Sequence, residues 1–173
     1  MIRIMGIDPG SRFTGFGIID IDGNRSIFQA SGHIKVTGDT IPDKLGVIFN
    51  NITELLQQYS PDEAAIERVF MHRNPDSALK LGQARGAAIT AIVNQNCSVA
   101  EYSATQIKQS VVGKGNASKD QIQHMVKSIL NLGSTLQEDA ADALAIAICH
   151  SHHRNLLNGS RKIKGVRNGR LIT

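Results

Sequence analysis

Three apolar, strand-like runs follow one another at the amino end of the chain, 2–8, 12–22 and 25–36, with no helical periodicity between them. This order constrains the fold more than any other feature, because consecutive strands joined by short turns meander antiparallel. Asp22-Gly23-Asn24 supplies a hairpin-like turn between the second and third runs. The pattern then changes. In IPDKLGVIFNNITELLQQY, Leu45, Ile48, Phe49, Ile52, Leu55 and Leu56 share one helical face. Pro61-Asp62 breaks the chain, and EAAIERVF reads as a short strand ending near Glu67. Asn74-Pro75-Asp76 opens a helix reaching about Asn94, with a capping Asn, a proline at the first helical position and an acid in the first turn. Cys97 to Tyr102 is a fifth strand, Ser103-x-x-Gln106 and Ser118-x-x-Gln121 are capping boxes, and a last helix begins near Gln137. Strands that alternate with helices cross over right-handed. The expected fold is therefore α/β, a five-stranded mixed sheet flanked by helices.

A chain of 173 residues has room for one domain with a sizeable core. It has no run of 18 apolar residues and no signal-peptide pattern, so no membrane partner and a cytoplasmic location are expected. Cys97 and Cys149 lie in apolar surroundings without metal-ligand spacing and read as reduced core thiols. The net charge of +4 is unevenly spread. From Arg154 onward there are six Lys or Arg and no acid, leaving 13 basic against 15 acidic groups before it. Residues 1–153 read as the folded domain and 154–173 as a basic, flexible tail, which either solubilises the chain or touches nucleic acid. Ala78, Gly82, Gly86 and Thr90 form a stripe of small residues, suited to packing on the chain's own sheet, on a neighbouring helix or on a second copy.

Against this background four acids stand out. Asp8 ends an apolar strand just before Pro9-Gly10, and a charge there is expensive unless something pairs with it. Glu67 sits near the carboxyl end of another strand, where ligand sites of open α/β sheets gather. Asp139 and Asp142, three apart on a helix, point to one face. Each has a plainer reading: a turn-former, a surface ion-pair partner of Arg68 or Arg73, and acids favoured by a helix dipole. Brought together, they would repel unless protonated or bound to metal. All-oxygen donors without His or Cys favour Mg²⁺ or Mn²⁺ over zinc. Two such ions suit in-line displacement at phosphorus.

GIDPGSR, ERVFMHRN, SALKLGQARGAA, KQSVVGKGNASKDQ and DAADALAIAICH, in this order over residues 1 to about 152, together resemble the RuvC family of bacterial Holliday-junction resolvases. The resemblance implies a ribonuclease-H-like fold acting as a homodimer on four-way junction DNA, alongside junction-binding and branch-migration helicase partners, RuvA and RuvB. It implies symmetrical paired nicks leaving 5′-phosphate and 3′-hydroxyl ends, a TT-containing cleavage preference, and two Mg²⁺ per subunit, with Mn²⁺ able to substitute. By motif, Asp8, Glu67, Asp139 and Asp142 match the family's metal-binding catalytic acids, and Lys119 a lysine that meets the scissile phosphate. Lys108 would hold the DNA backbone, Lys114 would contact phosphate more weakly, and Phe70 would stack on unpaired bases. His72 and Arg73 add positive potential beside Phe70, making Arg73 a further DNA contact.

Two other classes compete. GIDPGS also resembles the first phosphate loop of actin-like phosphotransferases, but those enzymes clamp nucleotide between two domains, and this chain has room for one. No Walker-type G-x-x-x-x-G-K-S/T is present either. A non-catalytic junction binder would gain nothing from holding four repelling acids against a phosphate backbone.

Overall fold

The computed structural model describes residues 1–68, 74–133, 136–160, 165–167 and 170–172, with side chains described as far as Arg154. β1 (Ile2–Asp8), β2 (Phe13–Asp22) and β3 (Arg25–Lys35) form the expected meander. α1 (Ile41–Tyr59), β4 (Glu63–Glu67), α2 (Pro75–Asn94) and β5 (Ser98–Tyr102) follow, then α3 (Ala104–Val112), α4 (Lys119–Leu130) and α5 (Glu138–Ser160). The sheet runs β3-β2-β1-β4-β5, antiparallel among the first three and parallel from β1 to β4 to β5. The helix starts follow local chemistry. Asn74 caps α2 ahead of Pro75, and Ser103 with Gln106 and Ser118 with Gln121 close reciprocal capping boxes.

The core has two halves divided by the sheet. Met5, Ile7, Ile18 and Ile66 face α1 and α2, whereas Ile4, Ile19 and Ala65 face α3, α4 and α5. α5 is the central helix: Ala140, Ala141 and every residue from Ala143 to Cys149 are buried. Its alanines let it sink onto the sheet, and the sheet offers no side chain in return at three points, Gly6, Gly15 and Gly17. A Cβ on Gly6 would lie 2.0 Å from the Ala143 carbonyl oxygen, and one on Gly15 would lie 2.1 Å from that of Asp139. Gly15→Ala is expected to lever the first turn of α5 off the sheet, costing about 1–3 kcal/mol. Thermal denaturation would register the loss. Any DNA-cutting activity should fall with it, because Asp139 rides on that turn and Asp142 follows one turn further along α5.

The small stripe on α2 does not pack on the chain's own sheet. Ala84, Ala88, Ala91 and Ile92 are the buried face of α2, while Gly82, Gly86 and Thr90 are exposed. α5 runs as one helix across residue 154, where the basic tail was expected to begin. One reason is that the Arg154 guanidinium donates to both Glu63 carboxylate oxygens at 2.9 and 3.0 Å, tying the helix to the start of β4. Beyond it, β6 (Gly165–Arg167) pairs antiparallel with β7 (Arg170–Ile172).

Candidate active site

The register of β1 against β4 decides where the first two acids go. The pairing ends at Ile7↔Ile66, so Asp8 and Glu67 follow side by side at the carboxyl ends of adjacent parallel strands, ~4.8 Å apart in the sheet. Alternation sends both toward α5, because Ile4 and Ala65, at even spacing from them, lie in that half of the core. The amino end of α5 lies over the same edge, with the Asp139 backbone against Gly15. Asp142 stands one turn further on, and Asp8, Asp139 and Asp142 are all partly buried.

A cleft of about 440 Å³ opens here, lined by Glu67, Lys108, Lys119 and Asp142 over an apolar floor that includes Ile107 and Ile146. Electrostatics ties the acids to one another. Burial first, then the charges of Asp142, Glu67 and Asp139, push the Asp8 carboxyl up to about 7, against a lowering pull from Lys119. Asp142 is raised too, again chiefly by burial, with Lys119 and Lys108 pulling down and Glu138 and Asp139 pushing up. The site therefore holds more negative charge than its two lysines balance. Among the described residues no three of these side chains yet form a group that could hold a metal ion. The donor set still fits one, since hard carboxylate oxygens and excess negative charge at a strand edge suit Mg²⁺ or Mn²⁺.

Each residue singled out from the sequence can now be placed. Asp8, Glu67, Asp139, Asp142, Lys108 and Lys119 gather at this edge. Lys114, exposed on the loop between α3 and α4, does not line the cleft. Phe70, His72 and Arg73 lie outside the described residues. Three features escaped the sequence reading. Lys119 donates to the Glu138 carboxylate, and this contact is the first cause of its raised pKa. Phe13, 37% exposed, sets its ring edge-on to His33 at 5.1 Å, and His33 Nδ1 lies 2.7 Å from Gln137 Oε1, just ahead of α5. Arg12 stands on the turn that follows Asp8. Only Glu138, one residue from Asp139 in an acidic first turn, carried a local signal that could have flagged it.

Sheet order, flanking helices and acids at the carboxyl edge make this a ribonuclease-H-like α/β protein. The chain belongs to the RuvC family: the family described as crossover junction endodeoxyribonuclease RuvC matches residues 4–150. It is 54% identical over 171 residues to the crossover junction endodeoxyribonuclease RuvC of Hahella chejuensis, covering 99% of both chains. Against that of Pseudoalteromonas atlantica it is 58% identical over 172 residues, again 99% of both. Among solved structures, Thermus thermophilus RuvC in complex with a Holliday junction substrate matches with a TM-score of 0.85 at 30% identity, over 90% of this chain and 96% of that one. The yeast mitochondrial Holliday junction resolvase Ydc2 shares the fold, with a TM-score of 0.61 at 15% identity over 92% of this chain and 86% of that one.

Proposed function

We infer that this chain is a Holliday-junction resolvase that nicks four-way DNA at the carboxyl edge of its sheet. Family membership supports the endonuclease activity. The observation that carries the site assignment is the convergence of Asp8, Glu67, Asp139 and Asp142 with Lys119 and Lys108 at one cleft. In this reading the four acids hold Mg²⁺, two ions per subunit, with Mn²⁺ as substitute. An ion held there would supply a lowered pKa for the attacking water and positive charge against that building at phosphorus. Lys119 exchanges Glu138 for the scissile phosphate, and Lys108 holds the neighbouring backbone. Lys114 extends the DNA contact beyond the cleft, and Phe70 and Arg73 add to it by family resemblance. The products carry 5′-phosphate and 3′-hydroxyl ends.

Paired symmetrical nicks need two sites related by a two-fold axis, so the working form is a homodimer. The exposed side of α2 suits that contact. Leu79, Gly82, Gly86 and Val93 recur at spacings of three, four and seven, Leu79 and Val93 are 63% and 58% exposed, and a Cβ on either glycine would meet open space. Cytoplasmic action beside RuvA and RuvB completes the proposal. Among the described residues no helix is long and apolar enough to cross a membrane.

The test is incubation of the purified chain in Mg²⁺ with a mobile four-way junction beside a linear duplex of equal length. Paired nicks confined to the junction are expected; cutting both substrates alike, or binding the junction without cutting, would overturn the assignment. In the same assay Lys119→Ala should slow the nicking step by about 10²–10³-fold. A loss visible only in affinity would reassign Lys119 to binding.

A further inference from the structure

On the opposite face of the sheet a second cleft, of about 340 Å³, reaches the same edge. Val36, Leu45 and Ile48 contribute to an apolar floor, and Arg12, Lys44 and Lys80 bring three cations to its lining. Lys80 is paired with Asp76 at 2.7 Å. Among the described residues no acid pairs with Arg12 or Lys44. The lining is therefore amphipathic: apolar below, with Arg12 and Lys44 above, which no acid among the described residues neutralises.

Arg12 stands on a rigid support. Thr14 is fully buried, and its hydroxyl lies 3.4 Å from the Gly10 amide nitrogen and 3.3 Å from the Gly10 carbonyl oxygen. The Arg12 carbonyl accepts from the Val36 amide at 2.9 Å, tying the turn to the end of β3. A Cβ on Gly10 would stand 2.1 Å from the Phe13 carbonyl oxygen, so the turn is as tight as the chain allows. Four steps of chain separate Asp8 from Arg12, at most ~14 Å. A strand held at Asp8 covers that distance in on the order of four nucleotides, at ~3.4 Å of axial rise each. The β1–β2 turn thus lies between two clefts that one strand can occupy together.

We propose that the Arg12–Lys44 cleft is a second DNA-backbone subsite, taking a phosphate of the strand that passes over the β1–β2 turn from the cleavage site, with its sugar over the apolar floor. Charge complementarity and the short stretch of chain from Asp8 to Arg12 select DNA as the occupant. The proposal rests on the junction-cutting reading above.

The experiment uses the full chain and a fluorescent four-way junction in EDTA, with binding followed from 50 to 200 mM salt, the range over which phosphate contacts register. The double variant Arg12→Ala/Lys44→Ala should bind roughly 10-fold more weakly, with its salt slope shallower by about one. Arg12→Lys/Lys44→Arg, which keeps both charges, should recover most of the slope and shows that the alanine effect is not misfolding. Replacing single phosphates near the scissile one by neutral methylphosphonates places the contact. One position within about five nucleotides of it should weaken wild-type binding and leave the double alanine variant unaffected. A wild-type affinity and slope in the alanine variant overturns the subsite, as does equal methylphosphonate loss in both proteins. A wild-type chain that neither binds nor nicks the junction fails the resolvase reading itself, and the subsite with it.

Discussion

Asp8→Asn is expected to slow junction nicking by more than about 10³-fold in Mg²⁺ while junction binding is kept or tightened. Asn preserves the size of the side chain and removes one formal charge, so the strand end and its turn stay in place. What is lost is the carboxylate that the other three acids surround, the one whose ionisation they hinder most. Removing a negative charge that faces a phosphate backbone lowers repulsion, which is why affinity moves opposite to rate. Single-turnover nicking and an anisotropy titration on the same variant separate the two. A variant that still nicks at a tenth of the wild-type rate would mean that the metal is held elsewhere. A variant that loses binding and nicking together would make Asp8 a structural support for the β1–β2 turn.

Asp8 was legible because its signal is local: an apolar strand, a charge, then a turn, all within ten residues. The helix caps were legible for the same reason, each written in four consecutive residues. Glu67 and Asp142 announced themselves as acids at element ends, but that they meet Asp8 follows from parallel register and from the path of α5, which no short window contains. The resemblance of several motifs in order supplied that link before the fold did. What stayed hidden are side-chain partnerships across long stretches of chain. Tyr102 OH meets His150 Nδ1 at 2.8 Å, His150 Nε2 meets Glu63 at 2.8 Å, and Arg154 closes on the same carboxylate. These contacts span 48, 87 and 91 residues. Nothing in the histidine-rich end of α5 predicts them, because such residues read equally well as a solvated face. The Arg12 cleft escaped for a related reason. Its cations come from a turn and two helices, and none is unusual beside its own neighbours.

The strain among the acids should also appear in stability, measured without DNA. Burial and neighbouring charge raise the Asp8 carboxyl from an ordinary 3.8 to about 7 in the folded chain. Between those values the folded state keeps a proton that the unfolded chain has released. Stability contributed by protonated Asp8 is therefore full below about pH 4, is lost as pH rises, and is gone above about 7. The ceiling on that loss is about 4 kcal/mol, at ~1.4 kcal/mol per pH unit. Other groups titrate in the same range: the His150 pKa is lowered by burial, which moves stability the opposite way below about pH 6.5. Comparing Asp8→Asn with wild type cancels them. In EDTA the two proteins should melt together near pH 4, where Asn imitates the protonated acid. By pH 8 the variant should melt above wild type, by no more than roughly 8–16 °C at that ceiling. Mg²⁺ should then raise the wild-type midpoint at pH 8 and close most of that gap, since a bound cation offsets the repulsion that the substitution removes. A gap of the same size at every pH would mean that Asp8 carries no excess charge in the folded chain. The cluster would then be a set of solvated carboxylates rather than one held ready for metal.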